Sequence, residues 1–495
     1  MFWLNMKGIF SILIFIANIL QFTYAEDCEL TNNCRLVDVN GDDDWVNEPG
    51  HYRAIQTCID DANDGDTCLI RPGNYHEEMT IKGKNNLAIR GDLDYGRPII
   101  DGTVVLQLKS KGKDGIKNSL NNKWEEDFID GNKVCVGEIE ITNDKHPFQL
   151  FLKEQEEYDM MTNARWPNAL WMERNPETGA PNVFYNKYWG TSDESSVDGK
   201  MVDKKDENGV SPLADSGLDM TGAMAVLNIG SFQSWHRPVT SHNVGDDFFL
   251  YDTHDINNNH AKPNRAHYYI DSKENLLDNP GEWFYNKDTK MLKFMPPSGS
   301  CPDANSDAIR GRVIDRAMEI SEVDGLYISD LDFFASNLRA ATESQHQDDV
   351  NDLYLDSLNF FYPVSSHRML QDDSLPKTTD VKAKNGGPVS VTNCVFYGGE
   401  GTALLHSGKG VKIHNNLFKW NDWSGVMDGG GAGTIWTDGS HDEEFIGNTV
   451  WYNGASAGYR PGNAATATDN LFVGQRDGNI MNDGAEVQFM VRLVL

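Results

Sequence analysis

The chain has 495 residues, with 75 Asp and Glu against 43 Lys and Arg, for a formal net charge of −32. A surface that negative repels phosphate backbones, which argues against nucleic acid as a partner and, without a local basic patch, against acidic membranes and acidic glycans. Hydrophobic residues at 39% and charged residues at 24% supply a core and exclude wholesale disorder; the 45 Gly favour turn-rich β architecture over helical bundles.

In chain order, residues 1–25 read first as a secretory signal peptide. Lys7 gives a sparse positive start, residues 8–20 are apolar, and Thr23-Tyr-Ala25 ends in small residues before Glu26. The apolar run is shorter than the roughly 20 residues of a spanning helix, so the expectation is a secreted, extracellular, monomeric protein, free of the membrane after cleavage. In an oxidising compartment cysteines pair. Cys28 with Cys34 and Cys58 with Cys68 are nearest in sequence, and the odd count of seven leaves a free thiol, expected to be a buried Cys394. There is no CxxC pair to suggest structural zinc.

Residues 26–110 open with helical spacing in Ile55-Gln-Thr-Cys-Ile59 and Ala62. Short strands closed by Gly or Asp follow, at Cys68-Leu-Ile70, Met79-Thr-Ile81, Leu87-Ala-Ile89 and Ile99-Ile100. A helix followed by evenly spaced short strands predicts a capped coil of parallel strands. Residues 111–300 lose the rhythm. They are aromatic-rich, with Ala164-Arg-Trp-Pro-Asn168 and alternating pieces such as Lys290-Met-Leu-Lys-Phe294, and predict a β-rich, antiparallel insertion with a polar loop at 193–217.

Residues 301–495 carry a repeat. Phe396, Phe418, Val450 and Phe472 are spaced by 22, 32 and 22 residues, and Cys394, Asn416, Asn448 and Asn470 stand two positions before them. Phe333 and Phe360 extend the apolar column upstream. A period of about 22 residues matches one turn of a parallel β-solenoid. Asn at one site per turn predicts a ladder of stacked amides. The 32-residue step predicts an outward loop, assigned to 429–442. The repeat starting at 483–489 breaks off without a cap, so the coils are expected to be incomplete at the C-terminus.

The stretch Ile55-Gln…Ala62…Gly65-Asp-Thr…Pro72-Gly-Asn-Tyr75…Glu78 resembles the N-terminal cap of right-handed parallel β-helix proteins, the pectate-lyase-like superfamily. Tyr269-Ile-Asp…Leu277-Asp-Asn-Pro-Gly-Glu-Trp-Phe-Tyr285…Leu292-Lys-Phe and Ala164-Arg-Trp-Pro-Asn168 are similar to segments of β-helix glycoside hydrolases. The resemblance implies an all-β, right-handed parallel β-helix with a helical cap and an inserted β subdomain, and a carbohydrate-active enzyme, with hydrolases, lyases and epimerases all in the superfamily. Trp436-Thr-Asp438-Gly439 is a faint echo of the polygalacturonase Asn-Thr-Asp-Gly motif.

Ten positions after each member of the Phe column stand His406, Asp428, Arg460 and Asn482, each following an apolar residue and each two before a Gly. If strand alternation points them outward, they form a row on one face, suited to an extended polysaccharide. For hydrolysis the catalytic carboxylates are then Asp428 with Asp438 or Asp422. His406, Arg460 and Asn482 bind substrate, and Trp436, in the expected Gly-rich loop, stacks on a sugar. This reading needs no cofactor or metal. A polysaccharide lyase on a uronic-acid glycan is the alternative, with Arg460 neutralising the uronate, His406 as base, and calcium as a possible helper. A non-catalytic glycan-binding or adhesin solenoid is the third. Trp420, Trp423 and Trp451 read as core or interface packing. Three further patterns carry no expected chemistry. Gly454-Ala-Ser-Ala-Gly458 lacks the strand-to-helix context of a nucleophile elbow. Asp38-Val-Asn-Gly-Asp42 lacks the later ligands of a calcium loop. His441-Asp-Glu-Glu444 reads as a solvated charge run.

Overall fold

A computed structural model describes residues 33–41, 49–109, 123–141, 145–154, 157–230, 234–256, 261–340, 350–383, 388–424, 434–437, 439–454, 457–474 and 485–487. The proposed signal peptide, Cys28, most of the acidic turn after Asp38, and Ser456 lie outside them.

Short runs with alternating burial make the strands. Met79–Lys82 alternates buried and exposed residues, and three-residue strands such as Val395–Tyr397 bury only the middle one. Each turn of the chain adds one strand to each of three parallel sheets. Val323–Ser329 joins sheet A, Asp332–Phe334 sheet B and Asn337–Ala340 sheet C; Val350–Asp356 then returns to sheet A. Among the described residues sheet A has ten strands and sheets B and C eight each. The result is a parallel β-solenoid.

The apolar column holds register throughout sheet B: Phe333, Phe360, Phe396, Phe418, Val450 and Phe472 are successive partners. The first four rings stack inside the coil with centroids 4.8, 4.8 and 4.9 Å apart. The asparagine ladder forms as expected. Asn416 Oδ1 accepts from the Cys394 N–H at 2.8 Å, Asn448 Oδ1 from Asn416 at 2.9 Å and Asn470 Oδ1 from Asn448 at 2.8 Å. A second ladder, unanticipated, runs through Asn421 and Asn453. Asn421 Oδ1 accepts from Gly399 N–H at 3.0 Å, and Asn453 Oδ1 accepts from Asn421 N–H at 2.8 Å. These bonds satisfy turn backbone groups that burial would otherwise leave costly.

Helix α1 (Ile55–Asp61) forms where its spacing predicts, with Ile55, Cys58 and Ile59 in the solenoid core. Cys58 and Cys68 are disulfide-bonded as expected; Cys135–Cys301 is a second pair, and Cys394 is a free, buried thiol. Burial pushes that thiol up to about 12.

Strands from Thr103–Val105 to Ile309–Arg312 build three further sheets, almost wholly antiparallel. Met291–Phe294 pairs antiparallel with both neighbours, as its alternation predicts. Trp171, from this layer, packs on Tyr362, Tyr397, Trp420 and Trp423 of the solenoid. That contact fixes the antiparallel layer against the corner between sheets B and C.

Candidate functional site

The expected outer row does not form. His406 pairs in register with Thr437, whereas Arg460 pairs with Trp436 and, through it, with Leu405. His406 therefore lies in the inward column of sheet C and Arg460 in the outward one, on opposite faces. His406 is fully buried: its Nδ1 is 3.1 Å from Ser440 Oγ and its Nε2 3.5 Å from a Glu443 carboxylate oxygen. Glu443, expected in a solvated run, is buried too and accepts from Tyr459 Oη at 2.5 Å and Gly462 N–H at 3.0 Å. Trp436, within the stretch assigned to an outward loop, stands instead on the sheet C strand Ile435–Thr437, half-buried with the Arg460 guanidinium 5.2 Å from its ring centroid. Asp428, Asp438 and Asn482 lie outside the described residues. Trp420 and Trp423 pack in the aromatic interface rather than lining an open face.

Of the expected carboxylates, Asp422 is described, and its partner is one that the spacing argument passed over. Glu400 and Asp422 each stand four residues beyond a Phe of the column, Phe396 and Phe418. They occupy equivalent corners between sheets B and C on successive turns. Asp422 N–H donates to Gly399 C=O at 2.7 Å, and the Asn421 amide accepts from Gly399 N–H, so the two corners are clamped together beside their carboxylates. The next turn offers Gly454 at this position, where a Cβ would meet the Asp422 carbonyl oxygen at 2.1 Å. Asp422 itself adopts a left-handed φ of 58°, a conformation that Asp takes more readily than most residues.

The two carboxyl groups have opposite surroundings. Glu400, 2% exposed, accepts from Ser366 N–H at 2.6 Å and Ser366 Oγ at 3.0 Å, and pairs with Arg368. Burial alone would raise its pKa, but the Arg368 guanidinium and the Ser366 hydrogen bond overcome this and hold it below the usual glutamate value. Asp422 is fully buried, and among the described residues neither of its oxygens has a hydrogen-bond partner. Burial first, and the nearby Glu400 charge second, push it well above the usual aspartate value. One group is thus an anion and the other a neutral acid at the same pH.

The antiparallel layer completes the site. Arg368 donates from Nε and Nη2 to Asp271 at 3.0 and 2.9 Å, and from Nη2 to Tyr269 Oη at 3.1 Å. It therefore bridges the strand His267–Asp271 to Glu400. His236, on Trp235–Ser241, is fully buried, with a backbone hydrogen bond at Ser374. Burial, aided by the Arg368 charge, lowers its pKa to about 3, and Glu400 acts on it in the opposite sense. What the arrangement can do is donate a proton from Asp422 beside an anion at Glu400, in a setting closed to solvent.

No family model and no curated protein matches the sequence. A solved structure described as "Glycoside hydrolase" is similar over 89% of this chain and 96% of its own, with a TM-score of 0.51 at 11% identity. Another, described as "The complex structure of XylC with xylose", has a TM-score of 0.37 at 11% identity, over 89% of this chain and 62% of its own. At that identity the first likeness is one of fold.

Proposed function

We propose that the protein is a secreted glycoside hydrolase in which Asp422 is the general acid and Glu400 the carboxylate nucleophile. The observation that carries this is the pair itself: two buried carboxyls on adjacent turns, driven apart in proton affinity by their surroundings. Such a split is how acid and base roles are assigned in paired-carboxylate sites. Asp422 protonates the departing glycosidic oxygen while Glu400 attacks the anomeric carbon. Water, deprotonated by Asp422, then releases the sugar from Glu400. Adjacent turns lie roughly 4.8 Å apart, which suits the ~5 Å separation of retaining enzymes better than the wider gap of inverting ones. Access requires the groups packed over the pair to move.

A lyase acting on a uronate is less well supported. It needs a cation for the sugar carboxylate, and Arg368, the guanidinium beside the pair, is already engaged by Asp271 and Glu400. His406, the base that reading needed, faces the coil interior. A neutral glycan is therefore the proposed substrate. The hydrolase name of the fold neighbour accords with this reading, and two disulfides fit an oxidising, extracellular setting. The right hand of the coil, the pectate-lyase-like kinship, and a division into a signal peptide (1–25), coils (26–110 and 301–495) and an insertion (111–300) belong to the same proposal. The test is digestion of a panel of neutral poly- and oligosaccharides by the full chain, with product anomers followed by proton NMR. Release of reducing ends with retained configuration is expected. Unsaturated, ultraviolet-absorbing products from a uronic-acid glycan contradict the proposal.

A further inference from the structure

A cavity of about 380 Å³ opens elsewhere on the solenoid, against the outer face of sheet C. Its charged wall consists of ion pairs: Lys145 with Glu78 at 2.6 Å, Lys377 with Asp315 at 3.0 Å, and Arg316 with Glu319 at 3.8 Å. Three cations thus face three anions, and no net charge invites a uronate or a phosphate. Each ammonium or carboxylate still has unused donor or acceptor positions after one pairing. Val313 and Leu370 add apolar surface, and Phe148 packs on His367 with centroids 4.1 Å apart. Alternating donors and acceptors over apolar patches match a sugar, which presents hydroxyls at its rim and C–H bonds on its faces.

The cavity is tied to the carboxylate pair in two ways. His367, in its wall, hydrogen-bonds Asp315 at 3.0 Å and directly precedes Arg368, which holds Glu400. Thr80 and Glu319, also in the wall, begin a row on sheet C that continues in register through Arg339, Asp380, Leu405 and Trp436, with Asp380 and Leu405 covered like the carboxylate pair itself. Leu405 lies on the same turn as Glu400, three steps from Glu319, or about 14 Å.

We propose that this cavity is a second saccharide subsite, which takes a neutral sugar unit a few residues along the chain whose bond lies at Glu400 and Asp422. This rests on the hydrolase reading and adds that the substrate is an oligomer rather than a disaccharide. The test uses the full chain carrying Asp422→Asn, titrated calorimetrically with the β-1,4-linked di- and tetrasaccharides of glucose, xylose and mannose. For one sugar the tetrasaccharide is expected to bind about tenfold tighter than the disaccharide. Adding Glu319→Trp, an outward position that is 46% exposed, fills the cavity and removes that gain, as does Lys377→Trp from another segment. Glu319→Gln keeps it. A gain that survives both Trp variants overturns the subsite and leaves the hydrolase intact. No binding of any probe, together with no turnover by the unsubstituted chain, overturns both.

Discussion

Asp422→Asn separates chemistry from stability and so tests the site closely. Asn keeps the shape of the side chain and removes its proton. A positioned general acid contributes typically 10²- to 10⁴-fold in rate, or about 3–5 kcal/mol of barrier. The loss should fall on substrates with poor leaving groups and nearly vanish for an activated one, such as a dinitrophenyl glycoside, whose departure needs no proton. Stability should move the other way. Folding raises the pKa of Asp422 above its unfolded value of about 3.9. Between the two values the folded state binds more protons than the unfolded one, so this group lowers stability as pH rises through the window. At pH 7 the substitution removes that penalty, and the variant should be as stable as the parent or more so. The advantage should close below about pH 4. The assays are steady-state rates on aryl glycosides of graded leaving-group acidity and urea unfolding at pH 7 and pH 4. An equal loss on good and poor leaving groups, or a lower unfolding midpoint at pH 7, refutes the assignment.

Arg368→Met leaves Asp271 and Glu400 facing each other across a buried gap without their cation. A cost of about 3–5 kcal/mol is expected in urea unfolding, and a change under 1 kcal/mol contradicts the network. His236, with a folded pKa of about 3, is neutral in the fold. Its contribution is complete above the unfolded value near 6.5 and is lost as pH falls from there toward 3. His236→Leu should therefore flatten the decline of stability across that window, and an unaltered slope argues against it. Asn421→Ala removes the amide that accepts from Gly399 N–H and donates to Phe396 C=O at 2.9 Å. It should cost about 1–3 kcal/mol and lower turnover as well; a loss of stability with full activity would separate the second ladder from the catalytic corners.

The solenoid was legible because its interior repeats. Phe or Val at 396, 418, 450 and 472, with Cys394 or an Asn two positions ahead, holds one register, since the two-residue step from that position to the sheet B strand is the same on every turn. Counting onward to sheet C failed because the corner between sheets B and C does not keep its length. From the Phe column to the outward residue of sheet C takes nine residues to Leu405, eighteen to Trp436 and ten to Arg460. An error of one residue turns a side chain to the other face, which is why His406 and Arg460 parted. Glu400 and Asp422 precede the variable stretch, so the four-residue step from Phe396 and Phe418 would have found them. The contributions of His236 and Asp271 had no such signal, because a distant layer brings them to the corner, and Arg368 stands in the irregular connection one turn earlier, where no repeat column marks it. Glu443 was misread for a related reason. A charge run says nothing about which member turns inward at a strand start, and here Glu443 enters the coil while Glu444 stays half-buried outside.

The central claim is that Glu400 makes the covalent bond to the sugar. Incubating the full chain with activated 2-deoxy-2-fluoro glycosides of the hydrolysed sugar, then mapping the labelled peptide by mass spectrometry, tests it directly. A single adduct on Glu400, absent when the anion is removed by Glu400→Gln, is the predicted result. An adduct on another carboxylate, or hydrolysis with inverted configuration and no adduct, contradicts it.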